Sequence, residues 1–197
     1  MHSRRLQRPQ NRLLWKETAR SFFYSMRVLK ELTGLKNVNM VQFKTFGSKN
    51  RTYMLNSKLE IFNFDKVKNN FAKKHGITDD NKPKSADGCQ HKDNNIIFIE
   101  FKNGEITSKA KRDIRCKMLN SVLILSAITD NKISYLKNIC QFILVYNQEK
   151  NGDINLSINL NKDAKQQNKS FDLSGYDNVF FSKTDLFNKN EFETFLK

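Results

Sequence analysis

The feature that most constrains the fold is the run Ile96-Ile97-Phe98-Ile99, which passes without a break into Glu100-Phe101-Lys102. Successive side chains of a strand point to opposite faces. Ile96, Phe98, Glu100 and Lys102 therefore share one face, and Ile97, Ile99 and Phe101 share the other. Both faces are apolar early in the strand, so it must be covered on both sides. The two charges fall where buried residues are expected. Burying a charge is costly unless it is paired or bound to a metal. This strand end either emerges into water or carries a site.

The neighbouring segments supply the covering layers. Residues 85–89 read as a short strand and 91–95 as a polar turn, which makes 85–102 a hairpin. With a turn near residue 93, Asp87 sits opposite Glu100 and the two carboxylates can converge. Asn103-Gly104 ends the strand, and 109–129 is predicted as a helix whose apolar positions are Ile114, Met118, Val122, Leu125 and Ile128. Lys111, Arg112, Arg115 and Lys117 lie in its first half. Before the hairpin, 65–75 reads as a basic helix stopped by Gly76, followed by a polar loop. After it, 140–147 is a buried strand, 154–160 an edge strand, 179–181 a last strand and 184–196 a terminal helix. The N-terminal part reads as a flexible arm over 1–11, a helix over 12–32, a strand over 38–46 and an extended piece near 53–55. Two regions result: a basic arm and helix over 1–35, and an α/β domain over 36–197.

Charge is unevenly spread. The net charge is +15, and residues 1–58 hold 13 Lys and Arg against Glu17 and Glu31. The last 48 residues balance seven cations with seven acids. A basic half beside a neutral half suggests a polyanion-binding face, with nucleic acid the first candidate and an anionic membrane surface the weaker one. Arg4, Arg5, Arg8, Arg12, Arg20 and Arg27 cluster in that half and are the predicted nucleic-acid contacts. Trp15, Phe22 and Phe23 among them could stack on bases, although such spacing more often marks core. No apolar run approaches the roughly 18 residues of a membrane span. Cys89, Cys116 and Cys140 form no C-x-x-C pair, which points to reduced thiols in a cytoplasmic setting, all three reading as core residues. His75, Cys89 and His91 match no zinc-site spacing, and no P-loop or GxGxxG is present.

Two converging carboxylates make a hard-oxygen site suited to Mg²⁺ or Mn²⁺. A lysine one pleat beyond can offset their charge and orient a water. Those components are what phosphodiester hydrolysis requires. Glu100-Phe101-Lys102 is the only E-x-K triplet in the chain, whereas the D-x-K triplets at Asp80, Asp130 and Asp163 lie in polar loops.

On Ala86-Asp87-Gly88 and Glu100-Phe101-Lys102 the sequence resembles the PD-(D/E)XK nuclease superfamily over residues 60–147, with Ala86 where the motif's name has proline. The resemblance implies a restriction-endonuclease-like αβββαβ core: a mixed central sheet flanked by helices, here carrying the basic N-terminal helical extension. It implies a Mg²⁺- or Mn²⁺-dependent endonuclease in which Asp87, Glu100 and the Phe101 carbonyl hold the metal and Lys102 positions the attacking water. It also suggests supporting roles for Glu60, as the acid on the preceding helix, and for Arg115 and Lys117 on the following one. DNA is the favoured substrate over RNA, and a homodimer follows by analogy only. Restriction, repair, phage defence and toxicity all fit such an enzyme. The competing readings are an inactive nucleic-acid-binding module on the same fold, and an interaction protein whose basic face docks on an acidic partner.

Overall fold

In the computed structural model the described residues are 61–92, 94–152 and 173–195. The expected arm, the elements over 12–55, the edge strand over 154–160, Glu60 and the six clustered arginines lie outside them.

The described chain is α/β, built on one five-stranded mixed sheet. It begins with β1 (Phe62–Asn63) and helix α1 (Phe64–Lys74). The Asn63 side chain accepts the Lys66 N–H at 3.0 Å and so caps α1. Gly76, at φ 67°, lets the chain turn out of the helix in a conformation that a Cβ would oppose. The hairpin follows as β2 (Gly88–Lys92) and β3 (Asn95–Lys102). Its first strand is shifted three residues along the chain from the predicted 85–89, and its second starts one residue early: His91 and Lys92 belong to β2, and Lys92 pairs with Asn95 across the turn. Asn94 adopts φ 62°, which asparagine tolerates better than most residues.

Helix α2 (Ser108–Thr129), capped by the Thr107 hydroxyl on Ala110 N–H, matches the predicted helix within one residue. A short α3 (Ile133–Leu136) leads into β4 (Cys140–Tyr146), and α4 (Gln148–Asn151) follows. The C-terminal part departs from expectation. Residues 179–181 form a turn, bridged only through Asp177 and Phe181, and the last strand is β5 (Lys183–Asn188). The terminal helix α5 (Lys189–Phe195) starts five residues later than predicted.

The sheet order is β1-β2-β3-β4-β5, antiparallel from β1 to β3 and parallel from β3 to β5. Between α1 and α2 lie two strands, where an αβββαβ succession has three; β1 precedes α1 instead. β3 is covered on both faces, as its composition requires. Ile96 and Phe98 pack with Phe64, Ile114, Met118 and Val122 beneath α1 and α2. Ile97, Ile99 and Phe101 pack with Ile143, Val145 and Phe192 on the α5 side. Phe98 meets Phe64 edge-on at 5.0 Å, and Phe101 meets Phe192 at 5.8 Å. Fully burying each such side chain contributes about 1.5–3 kcal/mol, which makes β3 the mechanical centre of the domain. Among the described residues no helix is long and apolar enough to cross a membrane.

Candidate functional site

The α2-facing side of β3 ends in a charge cluster. Gly88 pairs with Ile99, so continuing the register sets Asp87 opposite Glu100, as the hairpin predicts. Glu100 is buried at 3% exposure, which excludes a strand end emerging into water. Its companion is Lys117, whose ammonium donates to Glu100 Oε1 at 2.6 Å and to Asp87 Oδ1 at 3.2 Å. Asp87 Oδ2 accepts the Phe101 N–H at 2.9 Å. Glu100 Oε2 is buried with no hydrogen-bond partner. An orphaned carboxylate oxygen is expensive, and a bound cation would offset that cost.

Why these groups meet follows from the local folding. Lys117 lies on the stripe of α2 that includes Ile114, Met118 and Ser121, so packing that stripe on β3 drives the ammonium inward. Ser121, one turn on, accepts the Ala86 N–H at 2.9 Å and donates to the Lys117 carbonyl at 2.7 Å. The Phe64 N–H donates to the Asp87 carbonyl, which ties the start of α1 to the same point. Asp87 is thus fixed by α1, α2 and β3 together.

Electrostatics match this geometry. Burial pushes the Glu100 carboxyl up to about 8, and the Asp87 charge adds to the shift, while Lys117 opposes it. For Lys117, burial acts downward but is outweighed by Glu100 and Asp87, so its ammonium is held above the ordinary lysine range. Asp65, in the first turn of α1, is near enough to raise Glu100 further. It accepts from Ser85 Oγ at 3.0 Å and Lys68 Nζ at 2.7 Å.

Of the predicted site residues, Asp87, Glu100 and Lys117 come together. The N–H and C=O of one strand residue point to the same edge. The Phe101 carbonyl therefore faces the Asp87 side, as its N–H does. Lys102 follows Glu100 on the same face, half-buried; its field reaches Asp113, together with those of Lys84 and Lys109. Its carbonyl accepts the Asn147 N–H at 3.0 Å. Asn147 and Asn151 in turn hold Asn103, Gly104 and Ile106, which clasps the β3–α2 loop. Arg115, two residues before Lys117, leaves α2 from almost the opposite side of the helix.

Asp65 is the residue that sequence reasoning missed. Glu60, the acid offered by the resemblance, lies outside the described residues; among those described, Asp65, the opening residue of the helix predicted over 65–75, is the acid on that helix whose charge reaches Glu100. Its signal was an acid two residues after a capping asparagine, in the first turn of the helix. Cys116 also departs from expectation: it is exposed on α2, because it falls off the apolar stripe. Cys89 and Cys140 are buried, and burial pushes the Cys89 thiol up to about 12, which suits packing rather than nucleophilic attack.

Among the described residues no three His, Cys, Asp or Glu side chains converge closely enough to hold a metal ion. A divalent cation here would rest on two carboxylates and the Phe101 carbonyl. That donor set fits Mg²⁺, which commonly keeps several waters and takes one or two protein carboxylates. Compared with protein-family models, curated proteins and solved structures, the chain matches none.

Proposed function

We propose that the chain is a Mg²⁺-dependent nuclease hydrolysing phosphodiester bonds, with DNA the first substrate. The observation that carries this reading is the convergence of Asp87 and Glu100 on a single cation position, within 3.2 Å of one ammonium. The resemblance to the PD-(D/E)XK superfamily, the sheet order around the hairpin and the net charge of +15 support it. Asp87 and Glu100 hold the metal, with the Phe101 carbonyl facing the same edge. When bound, the metal neutralises charge developing on the phosphate and makes a water easier to deprotonate. Lys102, on the Glu100 face and nearer the strand end, positions that water or the phosphate it attacks. Asp65 assists as a more distant acid, the role for which the sequence offered Glu60. The Lys84, Lys102 and Lys109 cations around Asp113 extend a positive border beside the site.

One observation favours a second reading. Lys117 already fills the position between the carboxylates, as a permanent replacement for a metal would. On that reading the protein binds nucleic acid without cutting it. Incubation of the purified protein with plasmid DNA and with RNA, in Mg²⁺ or in chelator, separates the two. Cleavage that needs Mg²⁺ and disappears in Asp87→Ala supports the nuclease. Retention of nucleic acid without any cleavage supports the binding module, and loss of both overturns the nucleic-acid reading.

A further inference from the structure

Lys117 does more than neutralise the site. We infer that its ammonium is an internal cation that occupies the metal position and must be exchanged for the divalent ion, so that metal binding moves Lys117 out. The inference rests on the metal-site reading above and concerns how that site is regulated.

Three observations carry it. The ammonium touches one oxygen of each carboxylate, at 2.6 Å and 3.2 Å, and so sits where a cation shared by Asp87 and Glu100 must sit. Two cations cannot share that position, because both would be held against the same two oxygens with little water between them. Glu100 Oε2, buried and without a partner, remains as the coordination capacity that a single ammonium leaves unused. A lysine donates along separate N–H directions to single acceptors, whereas a divalent ion can take carboxylate oxygens singly or in pairs.

Movement is also feasible. The Lys117 side chain is about a quarter exposed, at 27%, so it has a route to solvent without unpacking α2. Its backbone stays fixed by the Ser121 hydroxyl on its carbonyl. The exchange is therefore a side-chain swing on a rigid helix. In the closed arrangement the ammonium lowers apparent metal affinity by the fraction of molecules in which it occupies the site.

The test uses the full-length, metal-free protein and Mn²⁺ binding read by electron paramagnetic resonance. Lys117→Met is expected to bind Mn²⁺ about tenfold or more tightly than the parent, because the competing cation is gone. Lys117→Arg, which keeps a cation, is expected to stay as weak as the parent or weaker. Equal affinity in Lys117→Met and the parent would overturn the exchange while leaving the metal site standing. Weaker binding in Lys117→Met would also overturn it, by making Lys117 a helper. If neither the parent nor Lys117→Met binds Mn²⁺, the metal-site reading fails and the exchange with it. A second measurement needs no variant. Amine acetylation of the unaltered protein, mapped by mass spectrometry, should rise at Lys117 when Mg²⁺ is added and stay constant at Lys183, which pairs with Asp185. Unchanged labelling of Lys117 while Mg²⁺ raises the melting temperature would sink the inference.

Discussion

At the scale of single residues, two side chains, Lys102 and Glu100, give the sharpest tests of the site. Lys102 is the most discriminating. As a mere surface cation it would contribute at most about 1 kcal/mol, and Lys102→Met would leave activity alone. As the group that positions water at the metal, its loss is expected to lower the single-turnover cleavage rate by roughly 10² or more, with little change in DNA binding. Lys102→Arg should be nearly as slow, since a planar guanidinium cannot replace a compact ammonium there. Glu100 sets a pH dependence. Its carboxyl is raised by burial from an ordinary value near 4.5 to about 8, so the folded protein binds its proton more tightly than the unfolded chain does. The stability it contributes is present below pH 4.5 and is lost as pH rises through about 8. In chelator, the melting temperature should fall across that window, and Glu100→Gln should flatten the fall. A parallel decline in both proteins would assign the effect to other groups.

At the scale of elements, the tie between α2 and the start of β2 is the joint to probe. Ser121→Ala removes the hydroxyl that accepts the buried Ala86 N–H while leaving the helix well formed. It is expected to cost about 1–3 kcal/mol in urea unfolding. It should also slow cleavage, because Asp87 is the next residue. Unfolding indistinguishable from the parent would show that water replaces the hydroxyl. The elements also differ in how far the sequence announced them. β3 was legible as an unbroken apolar run closed by turn residues, and α2 because its apolar residues recur at helical spacing and its start carries a capping residue. β5 was not: Leu186 and Phe187 lie side by side among polar residues, which suits a helix as well as a half-exposed strand. Phe181 misled in the opposite direction. It is fully buried against Phe98 and Phe142, yet it reaches the core from a turn. At the site, the pairing of Asp87 with Glu100 followed from strand register alone. That Lys117 fills the space between them depends on how α2 rotates onto the sheet, which no local pattern specifies.

For the whole molecule, the basic N-terminal region is expected to set the strength of polyanion binding. Residues 1–11 carry Arg4, Arg5 and Arg8 and no acid. Each phosphate contact contributes about −0.9 to the slope of log K against log salt, so deleting the segment should flatten that slope by roughly 2 to 3. An unchanged slope would place the arm off the nucleic-acid path and leave the lysines around Asp113 as the better candidates. Cleavage of a short bound substrate at low salt should survive the deletion, because none of the site residues belongs to it.

The tie between Lys117 and the two carboxylates has a consequence for how the chain folds. Glu100 and Asp87 lie 17 and 30 positions from Lys117, and Asp87 reaches the Phe101 N–H across 14. Contacts of such short range close early, since little chain entropy is lost in forming them. The hairpin thus brings two mutually repelling carboxylates together early in folding. The lysine that offsets that repulsion arrives on the very next helix, so the nascent protein carries its own counter-ion and can reach its native state before it has met any metal.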